Sequence, residues 1–230
     1  GYGDAWTLSA TAAYPMIRSE EGNANVTLRY DTKIYLNFLM ATDTVSSSYR
    51  INNVNLGFSG NRYDSFMGGA INNGQVSFVF GNLNLLSNNP SNFGVYTPSS
   101  YFKFGFGGSR VQNIIPDTSK LLISVSGQLA NENLNSAEQI YLGGPYGVRA
   151  YPVAQSGGSQ GGIGTIEYQH HLPYEFLGIA FLDGGVIQQY VNTYPGWQGQ
   201  TNANNTYGLY GTGLGLKWNY RGVAMGATIA

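Results

Sequence analysis

The segment Asn25–Phe38 alternates apolar and polar side chains, and this period of two predicts a β-strand. Its fourteen residues exceed the usual strand of a soluble protein, but they suit a tilted strand that crosses a bilayer with some overhang. One face would then meet lipid and the other water. The lipid-facing set is Val26, Leu28, Tyr30, Thr32, Ile34, Leu36 and Phe38, and the water-facing set is Asn25, Thr27, Arg29, Asp31, Lys33, Tyr35 and Asn37.

Alternation of this kind recurs along the whole chain. No run of eighteen apolar residues interrupts it, so the sequence predicts no membrane-spanning helix. The outward set would also include Phe102, Phe104, Phe106, Leu214, Leu216 and Trp218, and the inward set Lys217. Ten strands are predicted, at Ala5–Met16, Asn25–Ala41, Ser48–Asn61, Gln75–Leu86, Tyr101–Ile114, Lys120–Leu129, Gly162–Leu172, Phe176–Gln189, Thr206–Asn219 and Arg221–Ile229.

The connections between these strands alternate in length. Short ones are expected at Pro116–Ser119, at Pro173–Glu175 and at a corner at Tyr220, whereas Arg62–Gly74 is longer than this rule predicts. Short turns on one rim and long loops on the other are typical of an outer-membrane barrel. The sequence therefore predicts an all-β fold, an antiparallel transmembrane β-barrel meander. Its long loops would be Ser87–Ser100, Asn131–Gly161 and Val191–Asn205.

The composition agrees with the wall of a membrane-spanning barrel and disfavours several other functions. Only 10% of the residues are charged, against about a quarter in soluble proteins. The net charge of −1 without a basic cluster disfavours nucleic acid as a partner. Gly208, Gly211, Gly213 and Gly215 are not followed by the G-K-[ST] of a nucleotide loop. The last three would instead line the inner face of one strand.

Metal binding and catalysis are also disfavoured. His170 and His171 would point to opposite faces of a strand and could not share a metal ion. Neither histidine has a plausible nucleophile near it in sequence, so we expect no hydrolase and, more generally, no enzyme. The absence of cysteine suits a protein that crosses the oxidising periplasm.

Two isolated charges stand out because the chain has so few. Arg149 lies in the glycine-rich segment Gly143–Pro152, and Asp183 lies in the apolar strand segment Phe181–Gly185. Burying a carboxylate in apolar surroundings costs free energy unless a group of opposite charge pairs with it, and the planar guanidinium of arginine forms such a pair well. We therefore expect the 31-residue loop Asn131–Gly161 to fold back, on flexible flanks, so that Arg149 reaches Asp183. The alternative is a solvated arginine and an aspartate that ends a strand.

These segments resemble two motifs of the two-partner secretion transporters. These are the TpsB-type, or haemolysin activation/secretion, proteins of the POTRA-bearing outer-membrane barrel superfamily. The family's loop motif usually reads VRGY or VRGF, and Val148–Tyr151 departs from it only at Ala150, a tolerable change unless φ is positive there. Phe181, Asp183 and Gly185 match the family's F-x-D-x-G strand motif. Ala13–Ser19 and Gly213–Trp218 also resemble parts of these barrels.

The resemblance implies a sixteen-stranded barrel of which this chain would form strands six to fifteen. Residues 1–230 would then be a single partial barrel domain, a fragment without the POTRA domains and without the last strand. The resemblance also implies that the loop occupies the lumen and pairs with the inner wall. The loop residues implied are Gly143, Gly144, Val148, Arg149 and Tyr151. Their strand partners would be Phe181, Asp183 and Gly185, with Glu167 and Gln169 as lumen neighbours.

The function implied is a pore in the outer membrane of a Gram-negative bacterium. Its partners would be a large unfolded exoprotein and the membrane lipid, with no cofactor, metal, nucleotide or nucleic acid. Three alternatives stay open: an insertase for other barrels of the same superfamily, a passive porin or receptor, and a barrel tethered to an enzyme. A porin should show charged constriction residues on its inner wall, and an enzyme should show a catalytic set.

Overall fold

The computed structural model describes residues 2–39, 44–86, 89, 96–198 and 203–230. Ten strands form one antiparallel sheet in which every strand pairs with its neighbour in chain order. The all-β meander predicted from the sequence is confirmed. The strands are β1 (Tyr2–Arg18), β2 (Gly22–Leu39), β3 (Thr44–Asp64), β4 (Ala70–Leu85), β5 (Ser100–Ile115), β6 (Ser119–Ala130), β7 (Gln160–Leu172), β8 (Phe176–Gln188), β9 (Thr206–Tyr220) and β10 (Val223–Ile229).

The main error in the predicted boundaries is the connection Arg62–Gly74. β3 and β4 continue pairing as far as Asp64 and Ala70, so only residues 65–69 form the turn. The side chain of Gln112 on β5 donates to the carbonyl oxygens of Phe66, Met67 and Gly69, which holds this turn in place. This connection is therefore short, like the connections between β5 and β6 and between β7 and β8.

Smaller differences occur at other strand ends. The predicted corner at Tyr220 lies one residue further on, because Arg221 and Gly222 form the turn between β9 and β10 with φ of 48° and 84°. Ala41, predicted as the end of the second strand, lies outside the described residues.

The two faces of the sheet follow the predicted alternation. The outward face carries exposed apolar side chains such as Leu28, Leu214 and Leu216, and the rings of Phe78, Phe102 and Phe104 pack together there. Asp31 is buried on the inner face, where it lies 3.1 Å from Arg29 Nε and 3.8 Å from Lys33 Nζ. The predicted register of β2 is therefore correct.

The ten strands form an open sheet. β1 and β10 are its two ends, and each has one neighbouring strand among the described residues. Nearly every residue of β1 is exposed, because no second strand among the described residues lies along its outer edge. Within the described part of the chain, no helix has the length and apolar content to span a bilayer.

Two small apolar cores lie on the inner face, and each includes a residue of the long connection between β6 and β7. Leu134 packs with Tyr49, Ile51, Leu83 and Tyr101. Leu142 packs with Ile163 and Ile187, and neither Leu142 nor Ile187 is accessible to solvent. The apolar residues of this connection therefore bind it to the inner wall of the sheet.

Candidate functional site

The connection between β6 and β7 comprises residues 131–159 and lies against the inner face; we call it the inner loop. Its flanks are ordered, contrary to the expectation of flexible ends. Ile140–Tyr141 pairs with Gly157–Gly158 in a short antiparallel ladder. Ser159 is fully buried, and its hydroxyl accepts a hydrogen bond from Leu134 N and donates one to Gln189 O. Gly161, predicted as loop, belongs to β7.

The tip of the inner loop is a tight turn that depends on glycine. Gly144 has a φ of 111°, a conformation that residues with a side chain rarely adopt. A Cβ on Gly143 would lie 2.2 Å from the carbonyl oxygen of Pro152. Val148 is fully buried, and its N–H donates to Leu142 O at 2.7 Å. Tyr146 at the apex is fully exposed, so only part of the apolar tip is buried.

Arg149 projects from this tip between two acidic side chains of the inner wall; we call Arg149, Glu167 and Asp183 the Arg149 cluster. Its Nε and Nη2 donate to the two oxygens of Asp183 at 2.8 and 2.9 Å, and its backbone N–H donates to Asp183 at 3.1 Å. Nη1 donates to Glu167. The two-pronged contact with one carboxylate is the strongest geometry for such a pair.

The environment of the Arg149 cluster favours the charged forms of its members. Asp183 is fully buried, and its carboxylate also accepts a hydrogen bond from Thr165 at 3.0 Å. The hydrogen bonds that Arg149 donates to Asp183 raise the pKa of Arg149 above its ordinary value. Gln169 donates to Glu167 at 2.8 Å, which orients the second carboxylate. Each charge in the cluster therefore has a directed partner, as burial requires.

The other members of the strand motif shape the space around Arg149. The ring of Phe181 lies under the guanidinium, with Cζ of Arg149 3.5 Å from the ring centroid, a cation–π contact. A Cβ on Gly185 would lie 2.9 Å from Leu142 of the inner loop, so glycine leaves the room for that side chain. Tyr151 is half-buried and closes the turn through its backbone, donating to Val148 O and accepting from Gly144 N. The packing of its ring beside Arg149 stays a prediction.

Ala150 stands where the resembling motif has glycine. Its φ is not positive, so the side chain causes no backbone strain. The neighbouring wall residue is Gly211 on β9, where an added Cβ would lie only 2.7 Å from Ala150 Cβ. Compared with the motif, the loop therefore carries an additional methyl group at Ala150, and the facing wall residue, Gly211, has no side chain.

A second group of charges, which sequence reasoning missed, holds the beginning of the inner loop. Glu138 is 4% exposed and lies 2.7 Å from Lys33 Nζ on β2 and 2.7 Å from Lys103 Nζ on β5. Asn53 on β3 donates to the same carboxylate at 3.1 Å. We call Glu138, Lys33 and Lys103 the Glu138 cluster. Burial alone would raise the pKa of Glu138, but the charge and hydrogen bond of Lys103, then those of Lys33, lower it below its ordinary value.

The histidines and acidic residues form no metal site in the part of the chain that the structure describes, where no group of three such side chains converges. His170 lies on the outward face, where its Nδ1 is 2.7 Å from Ser119 Oγ. Its ring stacks on Tyr168. His170 therefore makes a polar contact between the neighbouring strands β6 and β7.

Comparisons with known proteins agree with the all-β sheet and with the family resemblance seen in the sequence. The family model described as haemolysin secretion/activation protein ShlB/FhaC/HecB matches residues 1–218. Two curated relatives are the heme/hemopexin transporter proteins HuxB of Haemophilus influenzae and of its strain 86-028NP. They are 26% and 25% identical to this chain over 93% and 96% of its length.

Two solved structures share the fold. CdiB from Acinetobacter baumannii superposes on 95% of this chain with a TM-score of 0.71 at 18% identity. CdiB from Escherichia coli superposes on 94% with a TM-score of 0.74 at 20% identity. The chain spans 38% and 39% of the length of the two HuxB relatives and 37% and 39% of the two CdiB chains.

Proposed function

The chain belongs to the haemolysin secretion/activation family ShlB/FhaC/HecB, and from this membership we propose that it forms part of a two-partner secretion pore. The family consists of outer-membrane β-barrel proteins of Gram-negative bacteria, and its members transport a secreted protein. In our proposal the whole protein passes one large unfolded exoprotein across the outer membrane. Exoprotein and membrane lipid are its partners, and nucleotide and nucleic acid have no part in the process.

The observation that carries the proposal is the docking of the inner loop on the wall through the Arg149 cluster. A loop that fills a pore must be positioned when the pore is at rest and displaced when a polypeptide passes. Arg149, Glu167 and Asp183 provide a contact that is strong and directional, yet consists of one side chain on the loop. Removing one member of such a buried group typically costs about 3–5 kcal/mol. The cluster can therefore set the position of the whole loop tip.

The inner wall supports a polypeptide as the transported species. A groove of about 630 Å³ on the inner face of β2–β6 is lined mainly by uncharged polar side chains and glycine, among them Thr27, Asn55, Gln75, Ser77 and Gln128. Such side chains can hydrogen-bond to an extended backbone of any sequence. An ion-selective porin would instead be expected to present opposed charges at its constriction. The groove contains one charged residue, Arg29.

An enzyme and a barrel insertase are both less well supported than a secretion pore. The Arg149 cluster uses every acidic oxygen for a hydrogen bond to Arg149, Thr165 or Gln169. It contains no nucleophile beside a general base, so our proposal includes no enzymatic step. An insertase of the same superfamily would act on other barrels and would release no exoprotein into the medium. Secretion of the exoprotein therefore distinguishes a pore from an insertase.

The experiment is a secretion assay with Arg149→Ala and Asp183→Ala in the full-length protein, expressed together with its exoprotein. We expect both variants to lose most secretion while inserting into the outer membrane at normal levels, because the cluster positions the loop rather than pairing the strands. Arg50→Ala is the matched control, since Arg50 is exposed on β3 and lies away from the cluster. Unchanged secretion by both cluster variants would refute the proposal.

A further inference from the structure

We propose that Glu138 is a second positioning residue of the pore: it holds the beginning of the inner loop over the groove on β2–β6, independently of Arg149. The Glu138 cluster lies far from the tip along the chain, and none of its members contacts the Arg149 cluster in the described residues. The inner loop is therefore attached to two different parts of the wall. Glu138 attaches it to β2, β3 and β5, and Arg149 attaches it to β7 and β8.

The contacts of Glu138 fix both its side chain and its backbone to the inner wall. Both carboxylate oxygens meet an ammonium group at 2.7 Å, one from Lys33 and one from Lys103. Its backbone carbonyl accepts from Lys103 Nζ and from Gln128 Nε2, each at 3.1 Å. A short turn begins at Asn135, whose side chain accepts from Ala137 N, and presents Glu138 to the wall. The carboxylate and its own backbone are thus fixed together.

The position of this anchor explains what it would control. Gln139 and Ile140, the two residues after Glu138, line the groove from the side of the loop. The opposite side is the wall of β2–β6, in which Arg29 is the one charged residue that lines the groove. While Glu138 is held by Lys33 and Lys103, these two residues stay over the groove. Release of the tip at Arg149 alone would leave this part of the groove covered.

The anchor should respond to pH, and the sign follows from its charges. The docked state favours ionised Glu138, so docking is complete above the ordinary glutamate pKa of about 4.3 and is lost as pH falls through the lower docked pKa. Asp31, which also contacts Lys33, is a second carboxylate in this neighbourhood. The titratable and charged groups around Glu138 are Arg29, Asp31, Lys33, Tyr35, Tyr49, Tyr101 and Lys103.

The test measures single-channel conductance of the full-length protein in planar bilayers as a function of pH. We expect the wild type to open as the pH falls below the ordinary glutamate pKa, because the docked pKa of Glu138 is lowered. Glu138→Gln should raise the open fraction at pH 7 by about tenfold or more and should abolish this acid step. Lys103→Gln should move the step to higher pH, because a cation that favours ionised Glu138 is gone.

Controls separate this anchor from its surroundings. Asp31→Asn should keep the acid step, and Glu138→Asp should keep a mostly closed channel at pH 7. Arg149→Ala should leave the step in place. The inference would be overturned if the Glu138→Gln channel stayed closed at pH 7 and opened at the same pH as the wild type. If Glu138→Gln does not insert, Lys103→Gln decides the question, and an acid step at the wild-type pH in that variant would overturn the inference. The inference rests on the proposed pore: an absence of conductance in every variant would overturn both, whereas normal conductance without an effect at Glu138 would overturn the second anchor alone.

Discussion

At the scale of single residues, Arg149 is held by contacts that only an arginine can make together. Nε and Nη2 reach Asp183, Nη1 reaches Glu167, and the guanidinium plane lies on the ring of Phe181. A lysine has one ammonium group and no plane, so it could replace at most part of this set. The buried Asp183 would then keep an incomplete partner.

The pair Ala150 and Gly211 offers a test of the packing at the loop tip. Gly211→Ala should loosen the tip, because the new Cβ would lie 2.7 Å from Ala150 Cβ. The double variant Ala150→Gly with Gly211→Ala should restore wild-type packing, and Ala150→Gly alone should have a small effect. Hydrogen exchange of residues 143–151 in the full-length protein measures this, with faster exchange expected only for Gly211→Ala. If the double variant exchanged at least as fast as Gly211→Ala alone, the contact between residues 150 and 211 would be contradicted.

The sequence predicts much of the Arg149 cluster but not the Glu138 cluster. The contact between Arg149 and Asp183 could be expected because both charges are isolated in a chain with few charges. Glu167 was expected only as a neighbour, although it binds Arg149 directly. Lys33 lies 105 residues from Glu138, and the sequence does not give the path of the loop across the wall. The one available signal was the presence of two glutamates in the loop, Glu132 and Glu138, and of lysines on the inward faces of two strands.

At the scale of elements, β9 shows how one strand serves two environments. Its inner positions Gly211 and Gly213 give room to Ala150 of the loop and to the ring of Phe181. Its outer positions carry exposed apolar side chains, such as Tyr210 and Leu214. The alternation predicted this division, because the side-chain period of a strand is two. The turn of residues 65–69 could not be predicted in the same way, because a side chain of β5 fixes it.

The outward face of β9 predicts a clear penalty for charge. Leu214→Arg should lower the free energy of unfolding of the full-length protein by about 2–4 kcal/mol, because the side chain would enter the hydrocarbon region. Thr27→Arg is the matched control on the inner face of β2, where it would meet the water-filled groove. Urea unfolding in lipid vesicles provides the measurement. An equal loss of stability in both variants would mean that the faces are assigned incorrectly.

At the scale of the whole molecule, the inner loop connects two halves of one curved wall. The Glu138 cluster fixes its beginning to β2 and β5, and the Arg149 cluster fixes its tip to β7 and β8. The edges of β1 and β10 leave room for further strands, and the larger barrel of which these ten strands would be a part stays a prediction. In such a barrel the loop would cover the lumen on the side of these strands. Passage of a polypeptide would therefore require the loop to leave the wall.

A disulfide across the loop tip tests this requirement most directly. The chain contains no cysteine, so Ala150→Cys with Gly211→Cys introduces a single pair. A Cβ on Gly211 would lie 2.7 Å from Ala150 Cβ, and a shift of about 1 Å gives the usual disulfide separation of about 3.8 Å. Secretion of the exoprotein by the full-length double variant is measured before and after reduction, with each single variant as a control. The account predicts that the oxidised protein inserts normally but does not secrete, and that reduction restores secretion; wild-type secretion by the oxidised protein would contradict it.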